Sequence, residues 1–122
     1  MRAGGLICIV DDDEEVRESI GSFFRSAGVA TRGFAAAEAL LAAPELAQMT
    51  CLITDLNMPG MDGLDLSETL RRQGYAAPVI LMTAFPTAET RARAAANGVA
   101  LFVEKPADPE ELLDEVEALL AA

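Results

Sequence analysis

The sequence predicts an α/β protein: one five-stranded parallel sheet with helices on both faces. Two observations carry that prediction. Short apolar runs without a helical period, such as Leu6–Val10 and residues 78–82, alternate along the whole chain with stretches whose apolar residues recur every three to four positions. Polar residues do not interleave within the runs, as expected for strands covered by helices on both sides. Connections between the segments are short, so right-handed crossovers make successive strands parallel. A chain of 122 residues fits a single domain, 1–122, large enough to bury a core without disulfides or metal staples.

Residues 6–10 (LICIV) form the first strand. Val16, Ile20, Phe23, Phe24 and Ala27 follow at helical spacing, and Gly28 closes that helix. A short strand over 30–34 leads into an alanine-rich helix over 36–43, which Pro44 stops. Residues 51–54 make the next buried strand, and a loop containing Pro59, Gly60 and Gly63 follows it. A helix over 64–72, a strand over 78–82, a helix over 87–97 ended by Gly98 and a strand over 99–103 complete the alternation. The last helix carries the fullest signals. Asp108 suits the cap, Pro109 the first helical position and Glu111 the reciprocal capping slot. Leu112, Leu113, Val116, Leu119 and Leu120 then give an apolar stripe of period 3.6.

Composition removes several functions. With 9 Lys plus Arg against 20 Asp plus Glu, the net charge is −11, which opposes direct nucleic-acid contact and docking on anionic membranes. The chain has no His, which excludes His metal sites, His general bases and Ser-His-Asp triads. No stretch approaches the roughly 20 apolar residues of a membrane span, and acidic residues directly follow the first apolar run, unlike a signal peptide. A cytoplasmic location is the expectation. Cys8 and Cys51 sit in apolar runs without CxxC spacing and read as two buried, reduced thiols.

Functional groups in parallel α/β sheets gather beyond the carboxyl ends of the strands. Asp11 and Asp12 follow the first strand, Asp55 the third, Thr83 and Ala84 the fourth, and Glu104, Lys105 and Pro106 the fifth. If those four strands are neighbours, three carboxylates, a hydroxyl and an ammonium share one crevice. Carboxylates about 4 Å apart repel by roughly 1–4 kcal/mol per pair between the dielectric of water and that of a protein surface. Such a cluster needs a cation, and oxygen donors without His or Cys favour a hard ion, Mg2+ ahead of the transition metals. Three carboxylates, one divalent ion and one ammonium balance to zero. A phosphoryl group arriving there would meet metal, ammonium, hydroxyl and backbone N–H, the parts phosphoryl transfer uses. Lys105 is the only lysine in the chain; every other basic residue is Arg.

IVDDDEEVR (9–17), TDLNMPGMDG (54–63), VILMTA (79–84) and FVEKP (102–106) together resemble the receiver domains of two-component response regulators, most nearly the FixJ type that precedes a LuxR-like output domain. The resemblance spans essentially the whole chain, with each motif in order at its strand end. It implies a flavodoxin-like receiver fold with strand order 2-1-3-4-5. It also implies that Asp55 is the phosphoacceptor, forming an acyl phosphate. Asp12 then ligates Mg2+ directly, Asp11 holds metal-bound water, and the Asn57 backbone carbonyl is a further ligand. Lys105 pairs with a phosphoryl oxygen, while the Thr83 hydroxyl and the Ala84 N–H hydrogen-bond the others. The Lys105–Pro106 peptide is expected to be cis. Thr83 moving toward the phosphoryl group, with Phe102 turning inward behind it, would reshape the surface of the fourth helix, fifth strand and fifth helix. The implied partners are a sensor histidine kinase or phosphotransfer protein, and a second copy of the domain on phosphorylation.

Other acids have simpler readings. Asp13, Glu14 and Glu15 suit a first helical turn, as do Asp62 and Asp65, and Met58 and Met61 suit packing around the loop. Three departures limit the carry-over. Leu101 stands where many relatives carry Asp or Gly, Phe85 puts a large apolar group two residues after Thr83, and Pro86 stiffens the loop behind it. Competing classes fit less well. A haloacid-dehalogenase-type phosphohydrolase wants a second Asp where Asn57 stands. A nucleotide-binding flavodoxin-like module wants a Gly- or Ser/Thr-rich loop where the acids are. A degenerate receiver would not keep every site residue. Self-phosphorylation and self-dephosphorylation are expected rather than conventional turnover. The sequence carries no output domain, leaving a stand-alone protein-contact regulator or the receiver half of a transcription factor.

Overall fold

The computed structural model describes residues 5–121; residues 1–4 and 122 of the expected domain lie outside them. The strands are β1 (Leu6–Val10), β2 (Ala30–Phe34), β3 (Met49–Asp55), β4 (Val79–Thr83) and β5 (Leu101–Glu104). They form one parallel sheet in the order β2-β1-β3-β4-β5. The helices are α1 (Glu14–Ser26), α2 (Ala37–Ala42), α3 (Gly63–Arg72), α4 (Ala88–Ala96) and α5 (Pro109–Ala121).

The two-residue period of a strand sorts the apolar runs between two cores. Ile7, Ile9, Cys51, Ile53, Ile80 and Met82 face α1 and α5, where they meet Ile20, Phe24, Leu112, Leu113 and Val116. Cys8, Val10, Leu52 and Val79 face the other way, onto Leu40, Leu66 and Leu70 of α2 and α3. A smaller cluster of Leu56, Leu64, Leu81 and Ala94 lies beneath α4. Fully burying a side chain of this size stabilises by roughly 1.5–3 kcal/mol, so the three central strands anchor the fold. Cys8 and Cys51 are free, buried and on opposite faces; burial pushes their thiols up to about 11 and about 12.

The structure departs from the expected elements in four places. Pro44 ends α2 but also occupies the first turn of a 3₁₀ helix, Pro44–Gln48, because its fixed φ suits a helical start. β3 begins at Met49 and reaches Asp55, longer at both ends than 51–54. β5 starts at Leu101, two residues after the expected start, although Ala100 N–H already bonds the Val79 carbonyl. Asp108 caps α5 by accepting from Glu110 N–H at 2.9 Å, and no bond from Glu111 back to the cap is present among the described residues. Reciprocal caps stand instead at Asp62–Asp65 on α3 and Thr87–Thr90 on α4. Asp62 and Asp65 are thus committed to a helix start, as their simpler reading held. Among the described residues no helix is long and apolar enough to cross a membrane.

Candidate functional site

Sheet order decides which strand ends meet. β1, β3, β4 and β5 are consecutive, so Asp11 beyond β1, Asp55 at the end of β3, Thr83 at the end of β4 and Lys105 beyond β5 converge at one edge. The pairings Asp55↔Met82 and Thr83↔Glu104 bring the ends level. Two bonds extend the ladders past the strands: Leu56 N–H to the Met82 carbonyl at 2.7 Å and Lys105 N–H to the Thr83 carbonyl at 2.8 Å. The Lys105–Pro106 peptide is cis, as expected. Gly63 opens α3 directly against β3, where a Cβ would overlap the Asp55 carbonyl oxygen and crowd Leu81. Only glycine permits that approach.

Lys105 Nζ lies 2.7 Å from Asp11 Oδ2 and 3.5 Å from Asp55 Oδ2. Asp11 is wholly buried and Asp55 nearly so, whereas Asp12 is exposed. Burial, and then the charge of Asp11, hold the Asp55 carboxyl above its ordinary range, against the opposing pull of Lys105 and the Asn57 N–H. Burial works against the Lys105 ammonium, but the hydrogen bond and charge of Asp11, followed by those of Asp55, outweigh it and raise its pKa. One ammonium thus serves two buried carboxylates while a third stands beside them.

Carboxylate oxygens of Asp11, Asp12 and Asp55 all lie within 4.8 Å of one another. Asp11 Oδ2 is buried, and its partner among the described residues is the Lys105 ammonium at 2.7 Å. An all-oxygen cluster of three carboxylates with one ammonium to offset them fits a hard divalent cation.

The remaining expected residues line the same edge. Thr83 is buried and donates its hydroxyl to Asn57 Oδ1 at 2.7 Å, while accepting from Phe85 N–H at 3.2 Å. Asn57 N–H in turn donates to Asp55 Oδ1 at 3.3 Å. Ala84 is exposed and, with Asp13, Val16, Lys105 and Pro106, lines a concavity of about 420 Å3 beside the carboxylates. Phe102 stands apart from this ring. It is half-buried opposite Leu81, on the sheet face that Thr83 shares by alternation, with the Arg91 guanidinium 4.7 Å above its ring.

Three contributors escaped the sequence reading. The Asn57 side chain, not expected as a partner of Thr83, is the acceptor for its hydroxyl. Glu38 of α2 accepts from Met61 N–H at 3.2 Å and so clips the loop that carries Asn57. Arg17 of α1 donates to the Asp11 carbonyl at 2.6 Å. Arg17 and Asn57 lay within quoted motifs and Glu38 did not, and nothing in the spacing of Arg17 distinguished it from a solvated helix residue.

The profile of the response regulator receiver domain matches residues 7–117. The C4-dicarboxylate transport transcriptional regulatory protein DctR of Rhodobacter capsulatus is 40% identical over 116 residues, covering 93% of this chain and 59% of that protein. The transcriptional regulatory protein FixJ of Azorhizobium caulinodans is 36% identical over 112 residues, covering 92% of this chain and 53% of that protein. The chain thus spans little more than half the length of these curated relatives. Among solved structures, FixJ-N superposes with a TM-score of 0.84 at 30% identity, covering 98% of this chain and 95% of that one. Chemotaxis protein CheY4 of Vibrio cholerae superposes with a TM-score of 0.86 at 28% identity, covering 96% and 99%.

Proposed function

The chain belongs to the response regulator receiver family, and from that premise we propose that Asp55 is the phosphoacceptor of a signalling switch in a two-component phosphorelay. The carrying observation is Lys105 bridging Asp11 and Asp55, with Asp12 alongside, at the ends of neighbouring strands. Residues 1–122 then act as one receiver domain. An Asp55 carboxylate oxygen attacks phosphorus, the phosphorus–nitrogen bond of a partner's phosphohistidine breaks, and the imidazole leaves with the bonding pair. The donor belongs to a sensor histidine kinase or phosphotransfer protein, because this chain has no histidine.

Asp11, Asp12, Asp55 and the Asn57 carbonyl are the residues to hold Mg2+, which when bound offsets the charge that gathers on the transferring oxygens. Lys105 is within reach of the product: once Asp55 is esterified, its ammonium follows the negative charge onto the phosphoryl oxygens. Thr83 exchanges its bond to Asn57 for one to the phosphoryl group, and the Ala84 N–H supplies another. Withdrawal of the Thr83 hydroxyl opens room on the face it shares with Phe102, coupling the site to the surface of α4, β5 and α5. That surface then controls dimerisation or an output partner. Transcription is the readout in the named relatives, which are transcriptional regulatory proteins. Receiver domains are signalling domains; self-phosphorylation and self-dephosphorylation, rather than turnover of a released product, are the proposed chemistry, in the cytoplasm.

The test is intact-mass spectrometry after incubation with acetyl phosphate and Mg2+. A single phosphoryl adduct is expected on the wild type and none on Asp55→Asn or after EDTA. If neither an adduct nor a beryllofluoride-induced NMR shift at Thr83 and Phe102 appears, the reading fails.

A further inference from the structure

The acidic cluster is built partly on a backbone carbonyl that no strand completes. Asp11 follows β1, and its N–H makes a last inter-strand bond to the Phe34 carbonyl at 3.1 Å. β2 ends there, so the Asp11 carbonyl has no further rung to accept from. Arg17 supplies the missing donor from the first turn of α1, at 2.6 Å. Its own N–H bonds the Asp13 carbonyl at 3.1 Å, and Asp13 N–H bonds Asp11 Oδ1 at 2.9 Å. The Asp11–Asp13 segment is therefore closed into a loop of bonds tied at both ends to α1.

We propose that Arg17 is a positioning residue for the acidic site, setting the directions in which Asp11 and Asp12 present their carboxylates. The Asp11 carbonyl and the Asp12 N–H belong to one planar peptide. Rotation of that plane turns ψ of Asp11 and φ of Asp12 together and swings both side chains. A guanidinium on the carbonyl holds the plane without itself engaging a carboxylate oxygen. Among the described residues Arg17 makes no ion pair, so its positive charge is committed to the backbone rather than to the atoms a cation would need. Arginine suits the role because its planar fork loses less freedom per bond than a lysine ammonium. The side chain passes over Gly33 of β2, where a Cβ would stand 3.4 Å from Arg17 Cδ, in ordinary van der Waals contact.

The consequence for metal binding rests on the phosphoacceptor reading; the consequence for the backbone does not. Two opposed effects make the former decisive. By charge alone, removing a cation beside three carboxylates tightens Mg2+. By position, losing a residue that orients the ligands weakens it, and such outer partners typically change metal affinity by roughly 10–100-fold. In Arg17→Met the Mg2+ Kd from calorimetry is therefore expected to rise about tenfold. Arg17→Lys, which keeps the charge and one donor, should fall between. An unchanged or lower Kd in Arg17→Met overturns the proposal, even if the variant melts earlier. Without metal, amide exchange at Asp11 and Asp13 should quicken in Arg17→Met while α5 keeps its protection; unchanged exchange at those two amides also overturns it. Were the wild type to bind no Mg2+, the phosphoacceptor reading would fail and the exchange result alone would decide the role of Arg17.

Discussion

The two ends of the sheet's central strands and the outer edge formed by α4 and β5 are held in different ways. At the carboxyl ends, Asp11, Asp55 and Thr83 are buried and tied to Lys105, Asn57 and Arg17 by bonds that cross from one element to another. At the outer edge, Ala94 is the buried residue of α4, while Leu101, Phe102 and Val103 of β5 are only half-buried. α1 buries Ile20, Gly21 and Phe24, and α5 buries Leu112, Leu113 and Val116. An element with little buried apolar surface opens at low cost, which is where a moving surface is expected. The chemistry sits on a rigid frame, and the proposed readout sits on the part of the molecule that is cheapest to shift.

Truncation tests this contrast most strongly. Leu52→Ala removes a wholly buried side chain from β3 and should destabilise by about 2–5 kcal/mol. Ala94→Gly, the corresponding insult to α4, should cost only about 1 kcal/mol. Urea denaturation of both variants checks the ratio, and comparable losses would remove the distinction between frame and edge.

The frame was also the more legible part of the sequence. Runs such as LICIV and VILM betray strands covered on both faces because burial is a local compositional demand. Once the strands and the family order were in hand, Asp11, Asp55, Thr83 and Lys105 fell at their ends. What could not be read is long-range and specific. The Thr83–Asn57 bond joins residues 26 apart and depends on how the loop after β3 folds. Arg17 stands on a helix face where any Arg reads as solvated, yet it satisfies a carbonyl left over by the end of β2. Pro44 both stops α2 and starts the 3₁₀ helix, and the rule that proline ends a helix does not say whether another begins. β5 starts later than expected because Val99 and Ala100 are apolar enough for a strand but precede the paired register, which begins at Leu101.

A smaller effect is expected at the frame's charged centre, with a pH signature. Lys105→Met leaves Asp11 and Asp55 buried without their ammonium and should cost about 1–3 kcal/mol near neutral pH. The Asp55 carboxyl is already held above its ordinary range by burial and Asp11, and loss of Lys105 raises it further. A carboxyl with a raised folded pKa binds its proton more tightly in the fold than in the unfolded chain. The penalty is therefore present above the folded pKa and fades as pH falls through it toward the unfolded value. The melting temperature of Lys105→Met should approach that of the wild type on acidification. At the alkaline end the wild type should lose stability as pH rises through the raised pKa of Lys105, a loss the variant lacks. A pH-independent gap between the two proteins would mean that Lys105 contributes packing rather than charge.

The smallest global effect, and the sharpest local one, is expected at the edge. Arg91 stacks over Phe102 from α4, an exposed cation–π contact worth roughly 0.5–1 kcal/mol. Arg91→Ala should barely move the melting temperature, because global unfolding is governed by the central strands. Local opening of α4 is a different event. With so little of that helix buried, the contact is a substantial part of what closes it onto β5, and its loss should speed amide exchange in α4 by roughly 2–5-fold. Exchange in β1 and β3 should not change. The Phe102 ring protons should shift together with the α4 amides, since the same guanidinium that anchors the helix shields the ring. Should α4 exchange stay at its wild-type rate, Arg91 is a passive cover on Phe102, and the mobility of the edge must be limited instead by Ala94 and its packing on Leu64 and Leu81.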